Sequence, residues 1–342
     1  MGKAMTEFVD KLAMTGRLSD IELTDLLKFR NAETTEYLFE AARAAKHQAG
    51  IDGVQIWGRI LLSNYCKNDC KMCGLQRDNQ FLHRYRLSTE QVLMYCQKLA
   101  DQRIYTIVLE SGDDAFYTEH TLSVLLGEIK KYFPMFKIIL SVGDKNEISF
   151  RQWKQCGASG YILSHGSANE MHFKKLYPSN MSPLLKRQKL WQLKELGYQV
   201  GTGFLVGMPY QNLSHVLEDI NLMKSLGASI VHMGAFVPAL HTIFEKQRSG
   251  NGEMTIYIMA ILRLFLPSAR IIADSTLDCV MKDGRIRAFE GGADVLLVDI
   301  SELERLAQYG AYERKNGRLM LGADDIGTFR SRLGANGFEE TV

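Results

Sequence analysis

No run of about 18 apolar residues occurs in the 342-residue chain, so the sequence predicts no transmembrane helix and no membrane partner. Charge of one sign is not in excess: 41 Lys and Arg stand against 39 Asp and Glu, a formal net charge of +2. That balance argues against a groove dominated by phosphate contacts, and hence against a nucleic-acid partner. No low-complexity linker or charge block divides the chain, and its start, MGKAMTEFVD, lacks the apolar core of a secretory signal. Cysteine is scarce. The six, Cys66, Cys70, Cys73, Cys96, Cys156 and Cys279, are too few over this length for a disulfide framework. The expectation is a cytoplasmic protein with reduced thiols. Hydrophobic residues make up 46% and charged residues 23%, as in an ordinary globular chain.

The first fifty residues read as helices, with Ser19-Asp20 and Asn31 as N-caps. From Val54 onward, short β-rich runs alternate with longer amphipathic segments. Strands are expected over 54–62, 104–110, 137–142, 160–163, 200–206, 230–236, 270–273 and 295–299. Helices are expected over 89–102, 121–132, 184–196, 213–226 and 255–266, several ending in a glycine stop such as Gly197 or Gly227. Eight strands, each followed by a helix or a helix-sized space, predict a closed parallel (βα)₈ TIM-type barrel. An open barrel of six strands is the alternative. The simplest partition is an N-terminal helical extension, residues 1–50, and one barrel domain, residues 51–342.

Three of the cysteines fall together in Tyr65-Cys66-Lys67-Asn68-Asp69-Cys70-Lys71-Met72-Cys73-Gly74. The spacing C-x₃-C-x₂-C follows the first expected strand, at the barrel face where active sites are built. A [4Fe–4S] cubane takes four ligands, usually thiolates. Three protein thiolates leave one iron open to chelate the amino and carboxylate groups of S-adenosylmethionine (SAM). Reductive cleavage of the sulfonium then yields a 5′-deoxyadenosyl radical. Structural zinc is the competing reading, but it prefers a closed set of four ligands, and His83 stands ten residues beyond the last cysteine. The remaining cysteines, Cys96, Cys156 and Cys279, are expected to be buried structural thiols.

The motif is that of the radical SAM superfamily. The stretch Cys73-Gly74-Leu75-Gln76-Arg77-Asp78-Asn79, followed by Arg84-Tyr85-Arg86-Leu87-Ser88-Thr89-Glu90, resembles the biotin-synthase branch, in particular its hydrogenase-maturase and methylornithine-synthase families. The likeness runs roughly over residues 51–293 and implies a complete barrel. It also implies a SAM site. Glu110, Ser111 and Asp113, after the second strand, would meet the SAM ammonium. Arg187 would meet its carboxylate, a group that a guanidinium fork suits. Gly203 would let the backbone approach the adenosine, and Phe236 and Val237 would form the edge against adenine. The resemblance further implies an electron donor such as ferredoxin or flavodoxin.

This chain departs from the family pattern at three places. Met72 precedes the last cluster cysteine where an aromatic residue is usual. Gly166 replaces a Glu that would face the SAM ribose or the substrate. Tyr177 stands where the relatives tend to have Arg. No cysteine cluster near the C terminus suggests a second iron–sulfur site.

For a small-molecule substrate the sequence offers Thr276 and Asp278, in the stretch Ala273-Asp274-Ser275-Thr276-Leu277-Asp278 after the seventh strand, as partners for an amino-acid ammonium. His165 joins them as a lumen-facing candidate, with Asp299, Ser301, Tyr309 and Tyr312 behind. The leading reading is a hydrogenase-maturase-like radical SAM enzyme acting on a small amino-acid-derived substrate. A carbon-skeleton mutase on a free amino acid is the second. A non-catalytic iron–sulfur scaffold is the reading from another class.

Overall fold

The computed structural model describes residues 2–301, 309 and 325–341. Three helices come first: α1 (Gly2–Thr15), α2 (Asp20–Lys28) and α3 (Ala32–Gln48). Ser19 and Asn31 cap α2 and α3, each in a reciprocal capping box.

The barrel strands follow: β1 (Val54–Ser63), β2 (Thr106–Ser111), β3 (Lys137–Ser141), β4 (Ala158–Ile162) and β5 (Gln199–Thr202). A short β6 (Leu205–Val206) comes next, then β7 (Ile230–Val231) and a short β8 (Gly234–Ala235). The last two barrel strands are β9 (Arg270–Ala273) and β10 (Val295–Asp299). Pairing is parallel throughout, in the order β10-β9-β7-β5-β4-β3-β2-β1, and β10 closes onto β1 with Arg59 opposite Asp299. Eight strands therefore make a closed barrel, and the open six-stranded alternative is set aside.

The connecting helices are α4 (Thr89–Asp101), α5 (Glu119–Tyr132), α6 (Glu147–Gln155), α7 (Glu170–Leu176), α8 (Pro183–Glu195), α9 (Leu213–Leu226), α10 (Gly252–Phe265), α11 (Thr276–Val280) and α12 (Gly284–Glu290). After them come α13 (Ile326–Ala335) and β11 (Glu340–Thr341), which pairs with the first residues of β1. The N-terminal helices share the barrel's hydrophobic core. α3 packs on α10, which is buried on nearly every side, and the Tyr257 hydroxyl on α10 donates to the Leu26 carbonyl at 3.0 Å.

The expected runs 200–206 and 230–236 each break in two. A Cβ at Gly203 would lie 1.8 Å from the His232 carbonyl oxygen. At that level β5 and β7 leave the barrel ladder, and their continuations β6 and β8 pair as a separate two-stranded sheet.

Inside the barrel, Trp57, Val108, Ile139, Ile162, Ile230, Ile272, Val295 and Leu297 form an apolar layer of their own. Strand side chains alternate between faces. Two residues further along, Arg59, Glu110, His232, Asp274 and Asp299 therefore also face inward, above that floor, at the carboxyl ends of the strands. No helix among the described residues is long and apolar enough to cross a membrane.

Candidate active site

The loop between β1 and α4 carries the three clustered cysteines. Arg84 organises it: its guanidinium donates to the carbonyls of Asn64 (2.5 Å), Leu75 (3.0 Å), Gln76 (2.7 Å) and Asn79 (3.3 Å). A planar cation with five N–H donors is suited to gathering carbonyls from one winding segment. Asn79 folds back to donate to the Gly74 carbonyl at 2.8 Å, and the Cys73 amide donates to the Cys70 carbonyl at 3.0 Å. From outside, the Asp113 carbonyl accepts from the Lys67 amide (3.0 Å) and the Leu176 carbonyl from the Lys71 amide (2.9 Å). The loop is thus clamped between the exit of β2 and the end of α7. Gly112 is required at the first clamp, since a Cβ there would lie 2.3 Å from the Tyr65 carbonyl oxygen.

Burial pushes the Cys70 and Cys73 thiols up, Cys73 to about 11, and the charges of the other loop cysteines push them further. Among the described residues, no three His, Cys, Asp or Glu side chains are gathered closely enough for a single metal ion, and His83 is exposed. A cubane is wider than one ion and takes its thiolates further apart. Three thiols on one clamped loop fit such a cluster. So does the apolar wall of Met72, Leu176, Met208, Phe236 and Phe244, against which Cys70 and Cys73 pack. Buried Lys186, whose Nζ donates to the Ser164 carbonyl at 3.2 Å, places a cation in the field of Cys70.

Deeper in the barrel mouth, Arg59 forms a bidentate pair with Asp299 (Nε–Oδ1 2.7 Å, Nη2–Oδ2 2.7 Å) and lies 3.7 Å from Glu110. The Tyr309 hydroxyl donates to Glu110 at 3.0 Å. Across the mouth, His232 Nε2 meets Asp274 Oδ2 at 2.9 Å, while Asp274 Oδ1 accepts from the Thr276 amide (2.8 Å) and hydroxyl (2.6 Å). Burial alone would raise the Asp274 carboxyl. The hydrogen bond and charge of His232, with Arg59 and Thr276, outweigh it and hold the group well below the usual carboxylate range.

No family model matches the chain. It is 32% identical over 275 residues to the [FeFe] hydrogenase maturase subunit HydE of Thermotoga maritima, covering 80% of this chain and 78% of that protein. The chain belongs to the HydE family of radical SAM enzymes. It is also 27% identical to the 3-methylornithine synthase of Methanosarcina acetivorans, over 89% of this chain and 87% of that one. Among solved structures, methylornithine synthase (PylB) superposes with a TM-score of 0.85 at 24% identity, covering 98% of this chain and 97% of that chain. The maturase HydG gives 0.81 at 16% identity, over 100% and 76%. A [4Fe–4S] cluster and SAM are accordingly the cofactors of this radical SAM enzyme, and its substrate is a small molecule.

Several residues expected around SAM have partners within the chain. Met72 and Phe236 come together on the wall beside the cysteines, and Val237 follows half-buried. Ser111 is spent locally, its hydroxyl donating to the Gly112 carbonyl at 2.7 Å. Asp113, expected at the SAM ammonium, pairs with Lys67 (3.2 Å) and Lys145 (3.3 Å), which stitches the β2 exit to the cluster loop. Glu110 turns into the barrel mouth with Arg59. Gly203 makes room for the His232 carbonyl, a packing demand of the barrel itself. Arg187 donates to the Ala168 carbonyl, and its Nε has no partner among the described residues. Its neighbour Lys186 places a cation near Cys70, and Arg84 places one near Cys73.

At the substrate end, Thr276 serves Asp274, and Asp278 is committed to Arg285, accepting from its amide at 2.9 Å and its Nε at 2.6 Å. His165 is fully buried with both ring nitrogens engaged, by Thr202 (3.0 Å) and Asp219 (3.2 Å). Tyr312 lies outside the described residues. Cys96 is buried as expected, whereas Cys156 and Cys279 are half-buried.

Sequence reasoning missed Arg59 and His232. The available signal was a charged or titratable side chain inside an otherwise apolar strand, two residues beyond an inward apolar one, at the carboxyl end of a barrel strand.

Proposed function

We propose that this radical SAM enzyme acts on a small amino-acid-derived substrate held in the charged ring at the barrel mouth, in the manner of the HydE branch. With cluster and SAM bound, the cofactors supply a 5′-deoxyadenosyl radical able to abstract a hydrogen atom. The observation that carries the reading is the ring itself. Arg59, Glu110, Asp299 and the His232–Asp274 pair close over an apolar floor, in the same mouth that the cluster loop covers. The carboxylates outnumber the one Arg, which suits the ammonium of an amino acid, and the imidazole of His232 beside them suits its carboxylate.

Cys66, Cys70 and Cys73 hold the cluster, Lys186 supports the anionic end of SAM, and Met72 and Phe236 receive its apolar face. Lys67, Lys71 and Arg77 border the cluster loop and suit an acidic one-electron donor of the ferredoxin or flavodoxin type. A three-thiolate cluster is consistent with the reducing cytoplasm. In this reading residues 1–50 are an extension whose task is to cover α10.

A methylornithine-synthase-like mutase is the second reading, favoured by the 27% identity that extends over 89% of the chain. The test is anaerobic reconstitution with iron, sulfide, SAM and dithionite, then incubation with a panel of amino acids and their thiol adducts. An accepted compound raises 5′-deoxyadenosine formation above the basal rate. His232→Gln is expected to lose that stimulation at least tenfold while keeping basal SAM cleavage. Equal loss of both activities would remove the ring from substrate binding. Isomerisation of a free amino acid, rather than modification of a thiol adduct, would select the mutase.

A further inference from the structure

Gly166 and Tyr177 meet in space beside the cluster loop. Gly166 has φ +75°, and a Cβ built on it would lie 2.1 Å from the Tyr177 hydroxyl oxygen and 2.5 Å from its Cζ. The phenol therefore fills the volume that a side chain at position 166 would take. Tyr177 is also fixed relative to the cluster loop. It ends α7, its amide donates to the Phe173 carbonyl at 2.9 Å, and Pro178 follows it. Its ring stacks on Phe173 at 4.2 Å, and the preceding carbonyl, that of Leu176, accepts from Lys71 in the cluster loop. The side chain packs on the wall of Met72 and Phe236 together with Cys70 and Cys73.

Its hydroxyl makes no hydrogen bond among the described residues. On the same side, Asp219, which holds His165 and the Ala168 amide through Oδ1, keeps Oδ2 buried without a partner. A hydroxyl set against a side-chain-free glycine, beside the thiols that hold the cluster, is a donor within reach of a group bound there.

We propose that Tyr177 is a SAM-positioning residue: across Gly166, its hydroxyl hydrogen-bonds a polar group of the SAM bound at the cluster. The inference rests on the radical SAM assignment but not on the substrate. The experiment titrates SAM into anaerobically reconstituted wild-type enzyme and Tyr177→Phe. Affinity is read by calorimetry and by the SAM-induced change in the electron paramagnetic resonance of the reduced cluster. Iron content and thermal stability are measured on the same samples. Tyr177→Phe is expected to keep the cluster and weaken SAM about threefold to tenfold, the range of one hydrogen bond. Unchanged SAM affinity with lowered thermal stability would mean that the hydroxyl serves Asp219 instead, and would overturn the proposal. So would loss of cluster iron, which would make the hydroxyl a prop of the cluster loop. Absence of any SAM binding by the wild type would instead strike the assignment of the site itself.

Discussion

A charged side chain in this barrel is worth reading by its partner before its position. Asp278 follows a barrel strand and looks available, yet both of its oxygens go to the nearly buried Arg285, which also donates to the Leu297 carbonyl at 3.2 Å. Asp278→Asn should therefore destabilise the fold by about 1.5–3 kcal/mol, the scale of a hydrogen bond to a charged group. It should leave SAM affinity unchanged. A urea melt of the purified variant checks this, and a variant with wild-type stability but impaired substrate response would restore Asp278 to the site. The same reading explains why the cysteines were legible and the cations were not. The thiols announce themselves by local spacing, whereas Lys186 and Arg187 differ only in which way one turn of α8 faces. Arg59 and His232 needed the register of β1 and β7, which appears only once the barrel closes.

Element boundaries were mostly readable from caps and periodicity. Strands β9 and β10 and helix α9 fall where the pattern places them. The sequence pattern could not show the breaks of β5 and β7. They arise from one non-local approach, the His232 carbonyl against Gly203, which no local run of residues encodes. The cluster loop is the opposite case, an element without regular structure whose shape depends on one side chain. Arg84 holds five of its carbonyls, and its removal leaves them to water or unpaired. Arg84→Ala should reduce iron retained after reconstitution by more than half while the helical circular dichroism stays unchanged. Full iron loading in that variant would show that the cysteines shape the loop unaided.

The whole molecule joins two levels along one barrel axis. Arg59, Glu110, His232, Asp274 and Asp299 line the mouth over an apolar floor, and the cysteine loop, clamped to β2 and α7, stands at the same end. The closed eight-stranded barrel was legible from the alternation of strand and helix. The packing of α1 to α3 over α10 was not, because an unusually apolar α10 reads only as a helix until its cover is known. The central claim is that the barrel and its cysteine loop perform reductive SAM cleavage. The most direct test measures 5′-deoxyadenosine formed from SAM and dithionite by the anaerobically reconstituted enzyme. Cys66→Ala, Cys70→Ala, Cys73→Ala and, as a control set, Cys96→Ser, Cys156→Ser and Cys279→Ser are measured beside it. The account predicts product from the wild type and from each control, and none above background from any of the three loop variants. Undiminished product from one loop variant, or no product from a wild type that carries its full complement of iron, would contradict it.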